Sequence, residues 1–317
     1  MKPMDKTVQV SVIMTAYNAQ TYLAEAIDSV LNQSFTNFEF LIHDDGSTDG
    51  TLGILESYAA QDARIIVTTA SNQGVFAARN FLQNKAQGEF LAVMDADDIC
   101  LPDRLEKQMA YMATEAHCAA VGGANVLIDV SGRPILLNAM PTGHEAIDGQ
   151  NIRGVVSIHH PTVLMRKDAV VKAGGYDPSF KASGDLDLWL RMAEMAQLAN
   201  LPDLVLKYRI HDNSISGSKR DLQRQMCRQA CEAAWLRRGL TDVSFDYSEW
   251  RMTDTPESRQ EFNLRYGWQA WSNGYRDTWR HYALQSVKQA PFSLDAWKLL
   301  IFGGLRRPAR HTSHQDG

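Results

Sequence analysis

The sequence predicts an α/β fold, in which a mostly parallel sheet is flanked by helices and followed by a helical C-terminal appendage. In the first hundred residues, short apolar runs alternate with segments whose apolar residues recur at helical spacing, and the connections between them are short. Beyond about residue 217 helical patterns dominate, and six of the seven tryptophans lie there. We therefore expect a sheet-containing domain over 1–217, with halves of about 1–115 and 116–217, and a helical region over 218–317.

The first hundred residues supply four predicted strands and the helices between them. The strands are Val10–Thr15, Phe38–His43, Arg64–Thr68 and Glu89–Met94. Short apolar runs of this kind are typical of parallel strands that are buried on both faces. The intervening helices carry Leu23 to Leu31 on one face, Leu52, Leu55 and Tyr58 after a cap at Asp49, and the segment Val75–Lys85.

The middle of the chain is less regular. Strands are predicted at 119–123, Asn125–Asp129 and Val163–Met165, a loop at about 140–155, and a helix over Asp185–Ala196. In the C-terminal region Trp268, Trp271, Tyr275, Trp279 and Tyr282 step along one predicted helical stripe.

Composition excludes several classes of protein. A net charge of -5 and a pI near 6.0 argue against a dedicated nucleic-acid binder. The four cysteines include no CxxC pair, which argues against a zinc site and favours reduced thiols. The N-terminus does not resemble a signal peptide, and no stretch approaches the roughly 18 apolar residues of a spanning helix. We therefore expect a cytoplasmic protein, either free in the cytosol or peripheral on the cytoplasmic face of a membrane.

Polar residues follow three of the predicted strands at the point where each strand ends. They are Thr15-Ala16-Tyr17-Asn18, Asp44-Asp45-Gly46-Ser47 and Asp95-Ala96-Asp97-Asp98. Because the carboxyl ends of parallel strands lie at one edge of the sheet, and ligands bind there, this pattern predicts a binding site.

Two of these loops suggest specific chemistry. Asp95 and Asp97 offer hard oxygen ligands to Mg²⁺ or Mn²⁺, and such an ion could neutralise a diphosphate. The alternative is a capping loop in which Asp98 or Asp103 begins the next helix. Asp44 and Asp45 could accept hydrogen bonds from a base and from ribose hydroxyls, or the same loop could be an ordinary strand-to-helix turn.

Two later segments also carry candidate residues. Asp185 stands at a predicted helix start, where it could act as a general base or only as a cap. Asp187 and Arg191 are spaced to pair on the same helix without any chemical role. His211 could contact phosphate or metal, or it could be a structural histidine.

Taken in order, these blocks resemble the family 2 glycosyltransferases over about residues 8–217. The resemblance is carried by VSVIMTAYNA, SVLNQSF, DDGSTDGT, GVFAARN, MDADDICLPDRL, SGDLDLWLR and YRIHDNSIS. It implies the glycosyltransferase-A fold, with a nucleotide half and an acceptor half. It also implies a nucleotide diphosphate sugar donor, most simply a UDP-sugar, with Mn²⁺ or Mg²⁺ and inversion at the anomeric carbon.

The resemblance assigns roles to individual positions. Thr15, Ala16 and Tyr17 resemble the segment along the base, and Asp45 resembles the carboxylate that accepts from it, with Asp44 beside it. Arg79 matches an arginine near the nucleotide and Asp95 the acid on the ribose side. The implied metal ligands are Asp97, Asp98 and His211.

Asp185 occupies the position of the family's general base. One departure is that Gly184 stands where the family often has Glu, which affects acceptor contacts more than the class of reaction.

The expected function is therefore sugar transfer to an acceptor hydroxyl, in bacterial surface polysaccharide or lipid-linked glycan synthesis. A nucleotidyltransferase is a rival, but such enzymes carry a glycine-rich, basic loop where this chain has Thr15-Ala-Tyr-Asn-Ala. A non-catalytic scaffold that binds sugar nucleotides is a second rival, against which Asp97 and Asp185 count.

The C-terminal region carries no chemical motif. Lys219–Arg238 holds six basic residues against two acidic ones, and Trp297–Arg310 combines an apolar run with arginines. Such a region could hold the protein on an anionic membrane, or it could be a helical appendage with solvated arginines.

Overall fold

The structure, a computed structural model, describes residues 8–211, 220–247 and 258–305. These residues form two compact units. The first comprises 8–125, 139–206 and 220–247, and the second comprises 126–138, 207–211 and 258–305. The helix that begins at Arg220 thus falls in the first unit. The predicted boundary at residue 217, between a sheet-containing domain with the site and a helical region, stays a prediction.

The strands and helices of the described residues are as follows. The strands are β1 (Val10–Ala16), β2 (Phe38–Asp44), β3 (Ile65–Thr69), β4 (Phe90–Asp95), β5 (Ile99–Cys100), β6 (Cys118–Ile128), β7 (Pro134–Asn138), β8 (Leu164–Arg166) and β9 (Gln197–Arg209). The helices are α1 (Leu23–Leu31), α2 (Thr51–Ala59), α3 (Val75–Lys85), α4 (Arg104–Thr114), α5 (His144–Asn151), α6 (Lys167–Lys172), α7 (Gly184–Ala193), α8 (Arg220–Arg238), α9 (Arg259–Ser272), α10 (Arg276–Gln289) and α11 (Leu294–Leu305). A short 3₁₀ turn covers His160–Thr162.

The sheet confirms the predicted fold class and adds its strand order. Its strands follow the order β3-β2-β1-β4-β8-β6-β9-β5, with β7 on β6. β1, β2, β3 and β4 are parallel, because α1, α2 and α3 return the chain between them. β8 runs antiparallel to both β4 and β6, so the sheet is mixed.

The parallel strands are buried, as the apolar runs predict. All seven residues of β2 are buried, and so are six of the seven in β1. Helix α7 adds Trp189, which is fully buried in the main core of the first unit. This core fixes the carboxyl ends of β1, β2 and β4 in one place.

Two predictions for the middle of the chain are wrong. The segment predicted as a loop at about 140–155 contains α5, a short helix that buries only Ile147 and Asn151 and so leaves almost no apolar pattern in the sequence. The two strands predicted at 119–123 and 125–129 are one strand, β6, whose eleven residues are all buried.

The second unit contains α9, α10 and α11. The predicted stripe from Trp268 to Tyr282 does not lie on one helix, because α9 ends at Ser272 and α10 begins at Arg276. Gly274, at a φ of 81°, ends α9, and Tyr275 N donates to Ala270 O at 2.8 Å, which closes the helix end. Within the described part of the chain, no helix is both long and apolar enough to cross a membrane.

Candidate active site

The three predicted strand ends lie side by side at one edge of the sheet. Ala16 is the register partner of Asp44, and Thr15 is the partner of both His43 and Asp95. Tyr17 follows β1 directly and its side chain is exposed at this edge. The loops after β1, β2 and β4 therefore form one surface.

Several polar residues of the loop after β2 hold the loop after β1. Asn18, which adopts a left-handed φ of 49°, donates its backbone N–H to Ser47 Oγ at 2.9 Å and accepts from Thr48 N at 2.8 Å. The Asp49 carboxylate accepts from Thr51 N at 3.0 Å. Ser47, Thr48 and Asp49 thus have the turn roles that were part of the alternative to ligand binding. The cap predicted at Asp49 is wrong, because Gly50 occupies the N-cap position of α2.

Asp44 and Asp45 are buried carboxylates with fixed partners. Asp44 Oδ2 accepts from Thr69 Oγ1 at 2.9 Å. Asp45 accepts from the backbone N–H groups of Gln73 at 2.8 Å and Gly74 at 3.0 Å, which fixes the start of α3. A carboxylate oxygen has a second lone pair, so these bonds leave Asp45 able to accept from a ligand.

Arg79 and three carboxylates form the charged centre of this edge. Arg79 Nη2 donates to Asp95 Oδ1 at 2.9 Å. Burial raises the pKa of the Asp95 carboxyl; Arg79 opposes this shift, and the nearby Asp97 and Asp185 carboxylates add to it. Residues from α3, β4 and α7 are therefore brought together, as the sequence predicts for a single site.

Asp185 lies in the first turn of α7. The preceding Ser183 has a left-handed φ of 56°, and its Oγ accepts from Cys227 Sγ at 3.1 Å, which anchors this turn to α8. Burial raises the pKa of Asp185, while Arg79 and the backbone N–H of Leu186 oppose the rise. A carboxylate with a raised pKa has more affinity for a proton, which is what a general base requires.

We expect this raised pKa to appear in the pH dependence of catalysis. A general base at Asp185 would act when ionised, so kcat/KM should fall as the pH falls through the raised pKa of Asp185 rather than near the ordinary value of an aspartate. Arg79→Gln removes the charge that opposes the shift, so its acidic limb should lie at higher pH, whatever its absolute rate. Rate profiles from about pH 4 to 8 measure both midpoints; a limb that stays unmoved in Arg79→Gln would contradict this electrostatic account.

Asp97 and Asp98 differ in their access to solvent. Asp97 is partly exposed, whereas Asp98 is buried at 1 % exposure. Asp97 is thus the better placed of the two to meet an ion from solvent, and Arg79 already engages Asp95. The part of the chain that the structure describes contains no group of three or more His, Cys, Asp or Glu arranged to hold a metal.

This donor set fits one kind of metal. Mg²⁺ and Mn²⁺ prefer carboxylate oxygens, and Mg²⁺ is commonly held by one or two carboxylates together with substrate phosphates. Asp97 offers that kind of ligand, and Asp95 places a second carboxylate nearby. The residues therefore fit a cation that binds together with a diphosphate rather than in a cage of protein ligands.

The remaining predicted residues have different outcomes. Asp187 and Arg191 form an ion pair along α7 at 2.6 Å, which confirms the structural role predicted for them. His211 follows β9 and belongs to the second unit. Its role as a metal ligand stays a prediction.

Sequence reasoning missed Tyr176, whose ring lies beside Arg79 of the charged centre. Its hydroxyl is 2.7 Å from His160 Nε2, and its backbone O and N bond to the Asn80 side chain at 2.7 and 2.9 Å. The Arg79 guanidinium carbon lies 5.9 Å from the centre of its ring. The only signal in the sequence is the run Gly-Gly-Tyr-Asp-Pro, which indicates a turn and says nothing of this contact.

Phe76, a second residue that sequence reasoning missed, explains why glycine stands at position 184, where the family often has Glu. A Cβ atom at Gly184 would lie only 2.8 to 3.0 Å from three carbons of the Phe76 ring. Phe76 is itself buried and stacks on Tyr176 with a centroid distance of 5.9 Å. The aromatic ring of α3 thus occupies the space that a side chain before Asp185 would need.

We expect Gly184→Ala to destabilise the fold by about 1 to 3 kcal/mol, because the added methyl overlaps the Phe76 ring. Phe76→Ala alone should cost about 3 kcal/mol, but the double variant should cost less than the sum by 1 kcal/mol or more. Urea denaturation measures all three. Gly53→Ala, a helical site where a Cβ meets nothing within 4 Å, is the control and should not destabilise. Additive costs for Gly184 and Phe76 would show that the overlap is not the cause.

Comparisons with known proteins match this chain to one family. The family model described as Glycosyl transferase family 2 matches residues 11–173. The chain is 32% identical over 213 residues to the O-antigen biosynthesis glycosyltransferase WbnJ of Escherichia coli. The alignment covers 66% of this chain and 82% of WbnJ. The region matched by the family model contains β1 from its second residue, the whole of β2, β3 and β4, and the strand ends described above.

Solved structures of low sequence identity share the fold. The S. aureus TarS 1–349 complex with UDP-GlcNAc has a TM-score of 0.57 at 17% identity, over 92% of this chain and 90% of that one. The mannosyltransferase PcManGT from Pyrobaculum calidifontis, in complex with GDP-Man and Mn²⁺, has a TM-score of 0.52 at 17% identity. That match covers 96% of this chain and 83% of PcManGT.

The mixed sheet and its flanking helices form the glycosyltransferase-A fold. Within that class, the chain belongs to Glycosyl transferase family 2.

Proposed function

We propose that this protein is an inverting, metal-dependent glycosyltransferase that moves a sugar from a nucleotide diphosphate sugar, most simply a UDP-sugar, to an acceptor hydroxyl. The observation that carries the proposal is the grouping of Arg79, Asp97 and Asp185 around Asp95, at the edge where β1, β2 and β4 end. Ligands of open α/β sheets bind at this edge.

The donor is proposed to bind with its base along Thr15, Ala16 and Tyr17. Tyr17 offers an exposed aromatic ring there, and Asp45 retains acceptor capacity toward a base N–H. Asp44 keeps the loop in place through Thr69. Arg79 and Asp95 are proposed to meet the ribose and the start of the diphosphate.

The proposed reaction uses Asp185 as the base. The Asp185 carboxylate takes the proton of the acceptor hydroxyl, and the acceptor oxygen forms a bond to the anomeric carbon. The bond from that carbon to the diphosphate oxygen breaks on the opposite face, and the nucleoside diphosphate leaves with the electron pair. Attack from the face opposite the leaving group inverts the anomeric configuration.

Three side chains are proposed to stabilise the charge that develops on the leaving diphosphate. Asp97, with Asp98 as a further ligand, would hold Mn²⁺ or Mg²⁺, which when bound supplies positive charge to the leaving oxygens. Arg79 lies in the same cluster and adds a fixed cation beside Asp95. PcManGT, a protein of this fold, was solved with GDP-Man and Mn²⁺, and this supports a metal site.

The proposed setting is the synthesis of bacterial surface polysaccharide or a lipid-linked glycan, in the cytosol or at the cytoplasmic face of the membrane. The name of WbnJ, an O-antigen biosynthesis glycosyltransferase, supports this setting. The acceptor would be a growing glycan or a lipid-linked sugar, because both present hydroxyls to a base such as Asp185.

A panel of donors tests the proposal. Purified protein is incubated with UDP-, GDP- and dTDP-sugars and Mn²⁺, and the released nucleoside diphosphate is measured. We expect slow donor hydrolysis with one class of nucleotide, because water can replace the acceptor. Binding of a donor without hydrolysis, and without transfer to any supplied glycan acceptor, would instead favour a non-catalytic scaffold.

A further inference from the structure

Helix α11 of the second unit is apolar on two sides, although only one of them is packed. Ala296, Leu299 and Gly303 are buried on its inner side, and Trp279 Nε1 of α10 donates to Leu299 O at 3.0 Å. Leu294 and Ile301 lie on another side, exposed by 77% and 50%. A surface helix normally presents polar residues there, so this outer side is the feature that packing leaves unexplained.

We define the outer stripe as Phe292, Leu294, Trp297 and Ile301. Phe292, just before the helix, is 98% exposed, and Trp297 is 42% exposed. Trp297 Nε1 donates to Pro291 O at 2.8 Å, so the polar atom of the indole is satisfied within the chain. Large apolar side chains grouped on a surface in this way mark a site of interaction rather than a solvated face.

Helices α10 and α11 also carry positive charge. Arg280, Leu284 and Lys288 follow one another at a spacing of four on α10, and all three are exposed. Over the described residues from Arg276 to Leu305 the sequence has four basic residues and two acidic ones, a net charge of +2 within a chain whose total is -5. The helices that carry the exposed apolar residues are thus positively charged.

We propose that the outer stripe inserts into the interfacial region of an anionic membrane, while the exposed basic residues of α10 and α11, Arg280, Lys288 and Lys298, contact lipid headgroups. Helix α11 has 12 residues and is about 18 Å long, so it can lie along the surface but not cross it. An aromatic and aliphatic face beside Lys and Arg is the pattern of interfacial helices. A second copy of this chain would bring the same positive charges together, whereas anionic lipid neutralises them.

Co-sedimentation with vesicles tests this surface on the full chain. We expect clear binding to phosphatidylcholine vesicles that contain about one third phosphatidylglycerol, weaker binding to phosphatidylcholine alone, and a loss of affinity as salt is added. The double variant Phe292→Ser, Trp297→Ser should lower the partition coefficient at least about tenfold, because two large apolar groups no longer enter the membrane.

Leu236→Ser is the matched control. Leu236 is 85% exposed on α8 of the first unit, outside the outer stripe, and its replacement should leave binding unchanged within about twofold. Equal vesicle binding by the double variant and the wild type would overturn the proposal. So would an absence of vesicle binding combined with a dimer in light scattering that the double variant abolishes, since a second copy would then cover the stripe.

The proposal does not rest on the chemistry of the first unit. Donor hydrolysis by the double variant should equal that of the wild type, because none of the substituted residues belongs to the proposed site. Vesicle binding with no turnover would leave the membrane surface intact and contradict the proposed function alone.

Discussion

Asp185→Asn is expected to lower kcat for sugar transfer by about 10³-fold while leaving the affinity for the donor within a few-fold of the wild type. A general base contributes roughly 10² to 10⁴ to a rate, and the amide of Asn cannot take the acceptor proton. Release of nucleoside diphosphate measures kcat. Calorimetric titration with the corresponding nucleoside diphosphate measures the affinity of the donor site. Near-wild-type turnover in this variant would remove Asp185 from the mechanism.

Asp187→Asn is the matched control on the same helix. It weakens the Asp187–Arg191 ion pair, which is mostly buried, and should lower the free energy of unfolding by about 1 kcal/mol or more. At a temperature where the protein stays folded, transfer should remain within about tenfold of the wild type. The same chemical change two residues apart thus separates loss of the base from loss of structure.

Asp185→Asn should not destabilise the fold. Burial raises the pKa of Asp185, so folding disfavours its ionised form, and the stability that depends on this group is lost as the pH rises through the raised pKa. At neutral pH the neutral Asn removes that cost. An equal or higher melting temperature together with lost activity would therefore mark a residue kept for function rather than for stability.

The second large effect is expected for Asp97→Ala. This variant should lose nearly all of the rate gain that Mn²⁺ gives in donor hydrolysis, on the order of 10²-fold or more, because the proposed cation would lose its principal protein ligand. Titration of Mn²⁺ into the reaction measures the gain. Asp103→Ala, six residues later and paired with Lys107 at the surface, is the control and should keep it. A full Mn²⁺ response in Asp97→Ala would place the metal elsewhere or remove it from the reaction.

Features of the fold that depend on local pattern could be predicted from the sequence. β1, β2 and β4 are mostly apolar because both of their faces are buried. Apart from Ser11 and Glu39, which are buried and bond to each other at 2.6 Å, their polar residues lie at the carboxyl ends of the strands. Since the strands are parallel, those ends meet at one edge, and the register of Thr15 with His43 and Asp95 follows. The candidate site was predictable for this reason.

Features that depend on contacts between distant residues could not be predicted. Phe76 and Gly184 are 108 residues apart, and their fit leaves no periodicity in the sequence. His160 and Tyr176 meet through a turn and a loop, where the pattern indicates a bend but not a partner. The aromatic residues of the C-terminal region recur at helical spacing on both sides of the turn at Gly274. Periodicity alone therefore predicts one helix where the structure has two.

The central claim is that the edge formed by β1, β2 and β4 binds a nucleoside diphosphate together with a divalent cation. Calorimetric titration of the purified protein with UDP, GDP and dTDP, each with and without Mn²⁺, tests it most directly. The account predicts that one of these nucleotides binds, at least about tenfold more tightly with Mn²⁺, and that Mn²⁺ alone binds weakly, because the described residues offer no three-ligand cluster. A folded protein that binds none of the three nucleotides, with or without Mn²⁺, would contradict it.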